Sequence, residues 1–339
     1  MNQTTFATLP ADTDLAVARI SHSVLDPAYI GEEVARRYDI AGPIESFLLY
    51  RGMNDVYLIQ GAKERFALRV WRKTYRDVDE VAYELNWLEY LKERGFPAST
   101  ALRTRDGDLY FKVISPEGVR AVALYDWAPG KKFGERLDIR TAERIGARFA
   151  EMHLLGLEYA GNHRFTAENA VRFQVTVPAL LDFVYDRPDD LRDYAIISER
   201  LTAKLIALEN ENVPMGICHC DFHPSNVHVA DDGQITFLDF DGAGEDFFMQ
   251  DVKNYVWGNL FYGYDAAYGD AFERGYETVR PFTEAEKHYG ELFLMAKAFR
   301  LISGMAHSST AVGRGTLRFR GLDWLGDYIK SRARPLGLL

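Results

Sequence analysis

One short segment of the chain places acidic and amide side chains at a spacing suited to chemistry on phosphate. Within residues 217–227, Asp221 precedes Asn226 by five residues, and Asp239 follows 13 residues after Asn226, at the end of an apolar run. An aspartate can accept the proton of a hydroxyl group, and an amide and a second carboxylate supply the oxygen ligands that Mg²⁺ prefers. The spacing therefore predicts phosphoryl transfer from a nucleotide, with Asp221 as the base and Asn226 and Asp239 as metal ligands.

These residues also carry a resemblance to a known family. Residues 219–226 (HCDFHPSN), 238–240 (LDF) and 250–252 (QDV) together resemble the aminoglycoside phosphotransferase and choline kinase family, most of all its homoserine kinase-like and stress-response kinase branch. The resemblance implies the same roles for the base and the two metal ligands. It further implies that Asp251 anchors the catalytic loop and that His219 organises it.

The resemblance extends from about Phe47 to about Gly304 and implies an α+β, bilobal protein-kinase-like fold. An N-terminal antiparallel sheet with one main helix is expected, followed by a larger, mainly helical C-terminal lobe. The expected division is a nucleotide-binding lobe with an N-terminal extension at 1–124, a hinge at 125–130, and a lobe with the catalytic loop and substrate pocket at 131–339.

Hydrophobic periodicity and turn residues predict the elements that would position these side chains. The predicted strands are 46–50, 56–60, 66–71, 101–103, 109–114 and 119–124. The predicted helices are 26–40, 77–94, 139–155, 189–211, 251–262, 267–279, 284–306 and 322–332. Residues 242–248 are predicted to form a loop.

Two features of the predicted sheet point to phosphate binding. The turn that contains Gly52 and Asn54 lies where kinase folds place a loop over the phosphates. Arg69 lies on the face of its strand opposite to the apolar side chains, so it needs an anionic partner or ligand. Glu84 on the next helix can reach Arg69, which predicts a clamp on the α- and β-phosphates. Kinases usually have Lys at this strand position, and the alternative is a surface Arg69 with Lys73 acting in its place.

The hinge and a C-terminal aromatic run give further candidates. The backbone around Asp126 and Trp127 is expected to dock adenine, with lobe packing as the alternative for Trp127. The acidic pair Glu245 and Asp246 precedes a run of aromatic residues that would form an ammonium cage by cation–π contact, or else belong to the core. This run comprises Tyr255, Trp257, Phe261, Tyr262 and Tyr264.

Three further side chains have open assignments. His153, at the end of a core helix, is expected to make a structural hydrogen bond. His223 either contacts the γ-phosphate or bonds within its loop. Asp241 is an additional candidate for the metal or substrate site.

Composition narrows the class of protein. The 339-residue chain has a formal net charge of −10, which argues against nucleic-acid and anionic-membrane partners. It has no apolar run of about 18 residues and no basic, then apolar start, so a cytoplasmic location is predicted. The two cysteines, Cys218 and Cys220, indicate a reducing compartment. A zinc site formed by these cysteines with His219 and His223 is disfavoured because structural zinc sites draw ligands from two separated segments, and buried thiols are the alternative.

Together these features predict an ATP- and Mg²⁺-dependent phosphotransferase. The acceptor is expected to be a hydroxyl of a small, amine-bearing molecule of the aminoglycoside, homoserine-like amino alcohol or choline and ethanolamine type. A protein Ser/Thr kinase of the stress-response type is the first alternative, although no long activation segment is obvious between Asp239 and Asp251. A non-catalytic nucleotide-binding scaffold is the second, although it would not need all three site residues. The oligomeric state and the choice of ATP over GTP remain open.

Overall fold

The computed structural model describes residues 19–161, 169–313 and 322–339. Its helices are α1 (Pro27–Arg37), α2 (Val78–Glu93), α3 (Ile139–Glu158), α4 (Asn169–Phe183), α5 (Pro188–Ala207), α6 (Phe248–Tyr262), α7 (Ala266–Glu277), α8 (Glu284–Val312) and α9 (Leu322–Ala333). Its strands are β1 (Glu45–Arg51), β2 (Asp55–Gln60), β3 (Arg65–Val70), β4 (Phe111–Ser115), β5 (Gly118–Asp126), β6 (Lys131–Lys132), β7 (Met215–Cys218), β8 (Val227–Val229), β9 (Ile235–Phe237) and β10 (Gly244–Phe247). The expected α+β class, with an N-terminal antiparallel sheet and a helical C-terminal region, is confirmed.

The N-terminal sheet has the strand order β1-β2-β3-β5-β4. Every pair of neighbours is antiparallel. Alternate residues of β3, such as Leu68 and Val70, are fully buried in a cluster with Ile30 and Val34 of α1. Because side chains alternate along a strand, Arg69 points to the opposite face, toward α2.

The face of the sheet that packs on α2 shares its core with the C-terminal lobe. Helix α2 begins with a capping box, in which Asp77 and Glu80 each bond the other's backbone N–H. Its buried residues Val81 and Leu85 belong to the same cluster as Phe149 of α3. This continuous core fixes the sheet relative to the helices of the C-terminal lobe.

In the C-terminal region, α4 and α8 pack side by side. The hydroxyl of Thr176 on α4 donates to the Ser303 hydroxyl on α8 over 3.0 Å. Helix α8 begins at a second capping box, formed by Thr283 and Glu286, and runs for 29 residues. This pair of helices carries side chains that reach the candidate site.

Most predicted elements are confirmed to within a few residues, but the short strands β6, β7 and β8 were not among them. Residues 242–248 were predicted as a loop, but they contain β10, which pairs with the distant strand β7. Helix α4 was not predicted, because Pro178 interrupts its pattern. At 101–103 the structure has an isolated bridge from Ala101 to Tyr125 instead of a strand. Strand β5 also continues through Asp126, into the predicted hinge.

Within the described residues, no helix is both long enough and apolar enough to cross a membrane.

Candidate active site

Asp251, near the start of α6, holds the loop that carries Asp221. The fully buried Asp251 carboxylate accepts hydrogen bonds from the backbone N–H groups of His219, at 2.6 Å, and Cys220, at 2.8 Å. Burial would raise its pKa, but the hydrogen bond and charge of His153 and the N–H donors lower the pKa below its usual value. The loop turns sharply here, since Cys220 has a φ of 65° in the left-handed region. The loop geometry is therefore fixed by one ionised carboxylate.

Two histidines complete this support. His219 Nε2 bonds the carbonyl oxygen of Leu238 over 2.8 Å and so ties the loop to the residue before Asp239. His153 Nδ1 contacts the Tyr276 hydroxyl at 2.7 Å, and burial lowers the pKa of its ring. The expected structural role of His153 is confirmed by this fully buried position.

Asp221 is paired with a lysine that the sequence did not reveal. Lys297 Nζ, on α8, donates to Asp221 Oδ1 over 2.8 Å, and the Asp221 side chain is 47% exposed. Burial acts to raise the pKa of Asp221, but the charges of Lys297, His223 and Arg300 hold it well below its usual value. Asp221 is therefore ionised at neutral pH and partly open to an incoming molecule.

The two expected metal ligands line one cleft of about 660 Å³. Asn226 donates from Nδ2 to the Asp221 carbonyl at 2.9 Å, which leaves its Oδ1 as the remaining ligand atom. Asp239, left-handed with a φ of 65°, accepts from Arg69 Nη2 at 2.7 Å through Oδ1. An amide oxygen and a carboxylate oxygen on one cleft fit the hard-ligand requirement of Mg²⁺.

The predicted contact between Arg69 and Glu84 is present. Arg69 Nη1 donates to Glu84 Oε1 over 3.2 Å, and both side chains line the same cleft. The negative charges of Asp239 and Glu84 outweigh the effect of burial and raise the pKa of Arg69. Lys73, the alternative, is exposed. Arg69 thus carries the positive charge that lies among the acids of the cleft.

Hydrogen bonds on two sides hold the turn between β1 and β2 in place. Arg72, buried behind it, donates from Nη2 to the Gly52 carbonyl over 2.9 Å. Asn54 Nδ2 donates to Asp241 Oδ2 over 2.9 Å. Burial and the nearby charge of Asp239 raise the pKa of Asp241. Asp241 therefore joins the turn to the segment after Asp239.

The side chains of the predicted hinge lie beside the cleft. Asp126 is exposed, and Trp127 packs under the guanidinium of Arg65, whose carbon is 5.4 Å from the ring centroid. The cleft lining, as far as the structure describes it, includes Tyr125 and Ser99 instead. Only the backbone of Asp126 and Trp127 is thus left for docking a base.

The expected aromatic cage is not built from the residues chosen for it. Tyr255 is fully buried and stacks on Phe272, with ring centroids 4.0 Å apart. Trp257 is also buried and packs on Tyr328, at 4.7 Å. The prediction of these two as substrate contacts is corrected, because they belong to the core face of α6. Within the run, Tyr262 lines the cleft.

The acidic pair is split by the strand it occupies. Glu245 and Asp246 lie on β10, so successive side chains point to opposite faces. Glu245 is exposed, while Asp246 is buried and accepts from the Phe247 N–H over 2.8 Å. Burial raises the pKa of Asp246 to about 7. The pair therefore does not act as one acidic patch.

The side chains considered as zinc ligands make separate hydrogen bonds instead. The Cys218 thiol donates to the carbonyl of Asp246, and the Cys220 thiol to that of Gly244. His223 Nδ1 accepts from the N–H of Ser225, within its own loop, and burial lowers the pKa of its ring. Both thiols are buried, as the alternative interpretation expected.

Arginines from three distant segments also reach the two site loops. Arg300 on α8 donates to the Cys220 carbonyl, Arg172 on α4 donates to the Gly242 carbonyl at 3.4 Å, and Arg76 donates to the Asp241 carbonyl at 2.9 Å. None of these was predicted. The available signal was a cation in an apolar helix segment, since Lys297 and Arg300 flank Ala298 and Phe299, which are fully buried.

Comparison with known proteins shows that this chain matches one protein family. Residues 52–287 match the model of the phosphotransferase enzyme family. A protein of Deinococcus radiodurans is 29% identical over 300 residues. The aligned region covers 87% of this chain and 86% of the Deinococcus protein. The homoserine kinase of Burkholderia ambifaria strain MC40-6 is 28% identical over 270 residues, covering 75% and 78% respectively. Amicoumacin kinase hAmiN, solved with AMP-PNP, Ca²⁺ and Ami, has the same fold, with a TM-score of 0.71 at 19% identity over 90% of this chain and 94% of the kinase.

Proposed function

The chain belongs to the phosphotransferase enzyme family, and from this premise we propose how its residues carry out the reaction. The activity is ATP-dependent transfer of a phosphoryl group to a hydroxyl of a small molecule. In the proposal Asp221 is the base, Arg69 and Glu84 position the nucleotide phosphates, and Asn226 and Asp239 hold Mg²⁺.

One observation carries the proposal: a single cleft is lined by Arg69, Glu84, Asn226 and Asp239. The loop that ends at Asn226 also carries Asp221, tied to it by the 2.9 Å bond from Asn226 Nδ2. Bound at these oxygens, Mg²⁺ would neutralise phosphate charge.

In the reaction the acceptor oxygen bonds to the γ-phosphorus as the bond from that phosphorus to the β–γ bridging oxygen breaks, and ADP leaves. The acceptor proton passes to the Asp221 carboxylate. Because Asp221 is ionised and 47% exposed, it can orient the hydroxyl and receive this proton. The turn at Gly52 and Asn54 would cover the phosphates, and the backbone at Asp126 and Trp127 would receive the base.

The acceptor is proposed to be small and to carry an amine, as in the aminoglycoside, homoserine-like and choline-type classes. The relative named homoserine kinase supports including amino alcohols in the test. The structure favours a small acceptor over a protein one, because residues 239–251 are taken up by a turn, β10 and the start of α6. This leaves no length for an extended activation segment.

The test is ADP formation with Mg²⁺ across these three acceptor classes, using the parent chain and Asp221→Asn. The substitution should lower kcat by about 10²- to 10⁴-fold, since it removes the base while preserving the shape of the side chain. Binding of ATP, measured by calorimetry, should remain.

The matched control is Asp186→Asn, an exposed acid between α4 and α5, which should leave kcat unchanged. ATP binding without turnover on any acceptor would support the scaffold interpretation instead.

A further inference from the structure

Four cations lie around the two site loops next to Asp221: Arg76, Arg172, Lys297 and Arg300, here called the cation cluster. Two lie on α8, one on α4 and one just before α2. Three hold backbone carbonyls of the loops, and Lys297 holds Asp221 itself. The cluster is thus assembled by four contacts that all converge on the reacting aspartate and its neighbours.

The guanidinium of Arg300 has a donor that meets no acceptor among the described residues. Arg300 Nη2 donates to the Cys220 carbonyl, but Arg300 Nη1 is buried and has no hydrogen-bond partner among the described residues. A buried guanidinium N–H without an acceptor costs free energy, so such donors normally meet a ligand or another acceptor. Arg300 therefore offers a built donor site beside Asp221.

Within the cluster, Arg76 is paired with Glu80 at 3.2 Å, whereas Arg172 and Arg300 lie close enough for their charges to repel. Burial and the charge of Arg300 lower the pKa of Arg172 to about 10, which shows that the two arginines repel each other. Of the acids, Asp221 is engaged by Lys297, and Asp241 is engaged by Asn54. Burial favours the protonated form of Asp246, whose pKa is raised to about 7. An anion bound between Arg172 and Arg300 would relieve their repulsion.

We propose that the acceptor carries an acidic group, a carboxylate or a phosphate, beside the hydroxyl that is phosphorylated, and that Arg300 and Arg172 bind this group. The inference rests on the proposed function and specifies the acceptor within it. An amine elsewhere on the acceptor is compatible with it.

The spacing on α8 suits this arrangement. Lys297 and Arg300 are three positions apart, so their side chains lie on the same face of the helix. Lys297 contacts the Asp221 carboxylate, and Arg300 contacts the carbonyl of the residue before it. A small molecule with its acid at Arg300 can therefore present a neighbouring hydroxyl to Asp221.

The first experiment compares acceptors that differ only in the acidic group. ADP formation with Mg²⁺ and ATP is measured for glycerate, glycerol 3-phosphate, glycerol and 3-amino-1,2-propanediol, and for homoserine against 3-amino-1-propanol. The expected result is a kcat/KM at least about 10-fold higher for an acid-bearing compound than for its match. The glycerate and glycerol 3-phosphate arms separate a carboxylate from a phosphate. Equal or better turnover of the compounds without an acid would overturn the inference while leaving the proposed function intact.

The second experiment uses variants of the cluster. Arg300→Gln keeps an N–H for the Cys220 carbonyl but loses the charge, and should raise KM for the acid-bearing acceptor about 10- to 100-fold without changing KM for ATP. Arg300→Lys keeps the charge and should restore part of this loss. Arg172→Gln is the independent second variant, and Arg148→Gln, exposed on α3, is the control with the same change of charge.

Where no acceptor in the panel is turned over, binding decides. Calorimetry with glycerate and with glycerol 3-phosphate, in the presence of AMP-PNP and Mg²⁺, should show saturable binding that Arg300→Gln abolishes and Arg148→Gln keeps. Absence of binding of both compounds to the parent chain, or equal KM values for parent and Arg300→Gln, would show that the cluster only supports the loops. Absence of ATP consumption with every compound, together with normal anion binding, would instead count against the proposed function.

Discussion

The two halves of the site are built in different ways. On the nucleotide side, Arg69 lies between Glu84, at 3.2 Å, and Asp239, at 2.7 Å, so its charge is shared with two acids. On the acceptor side, Lys297 is paired with Asp221. Arg300 adds a second cation, whose buried Nη1 has no hydrogen-bond partner among the described residues. The first half has carboxylates that can bind a metal ion and a guanidinium that can bind phosphate. The second half has two arginines that repel each other and a buried donor of Arg300 without a partner among the described residues, which suits the anion inferred above.

The difference also concerns which elements supply the side chains. On the nucleotide side, Arg69 on β3 bonds Glu84 on α2 and, 170 residues away, Asp239. On the acceptor side, α8 reaches the loop between β7 and β8 through Lys297 and Arg300, and α4 reaches Gly242 through Arg172. A comparison of variants on the two sides can therefore test whether each half serves one substrate.

The largest effect is expected on the nucleotide side, from Arg69→Ala. It removes the cation that lies between Glu84 and Asp239, and it leaves the buried Glu84 without this ion-pair partner. We expect kcat/KM for ATP to fall about 100-fold, the effect of losing a charged hydrogen bond at the upper end of the usual range, with an unchanged KM for the acceptor. Initial rates against ATP and acceptor concentrations measure both.

The kcat/KM of Arg69→Lys for ATP should lie between those of the parent and Arg69→Ala, because lysine keeps the charge but cannot bridge two acids with a planar fork. An equal rise in the KM for the acceptor would break the comparison, since the two halves would then not be separable.

The second effect is on stability and belongs to the acceptor side. The buried Asp246 has a pKa of about 7, above the value of about 3.9 expected when unfolded. A raised folded-state pKa gives stability that is fully present below the unfolded pKa and is lost as the pH rises through about 7. Between pH 5 and pH 8, the unfolding free energy of the parent should therefore fall by about 2 to 3 kcal/mol more than that of Asp246→Asn.

Urea unfolding at several pH values measures this difference. Asp186→Asn, which changes an exposed acid, should keep the pH dependence of the parent. Parallel curves for Asp246→Asn and the parent would contradict the raised pKa of Asp246.

A smaller effect, about 10-fold in kcat, is expected for Lys297→Met, which keeps the apolar stem and removes the charge. Since the charge of Lys297 lowers the pKa of Asp221, its removal should raise that pKa. The acid limb of the pH profile of kcat/KM should then move to higher pH, whereas KM for ATP stays the same.

The control is Lys287→Met, an exposed lysine on the same helix, paired with Glu284. A pH profile that does not move in Lys297→Met would show that this lysine holds the loop without tuning the base.

Much of the fold was predictable because its signals are local. The alternation in β2 and β3 and the capping residues of α2 lie within a few positions of one another, and the structure confirms them. Strand β10 was missed because the glycines at 242 and 244 indicate a loop and its partner β7 lies 26 residues earlier. Helix α4 was missed because Pro178 breaks its pattern.

The residues of the site also differ in whether local signals in the sequence could predict their positions. The contact of Arg69 with Glu84 was predictable, because a cation in an apolar strand followed by an acid on the next helix has few other partners. The core position of Tyr255 and Trp257 was not, since helical spacing of aromatics is the same for a core face and a binding face. Their burial depends on Phe272 and Tyr328, which belong to other helices.

The sequence by itself determined the short spacings of Asp221, Asn226 and Asp239 around a single turn and a strand pair, and these spacings predict phosphoryl transfer. Only the tertiary structure decided which charges surround Asp221. Lys297 and Arg300 on α8 reach the loop that carries Asp221, and Arg172 on α4 reaches the neighbouring Gly242, through the packing of the two helices. The strength of their electrostatic effect depends on distance and burial, and neither quantity is encoded in the local spacing of residues.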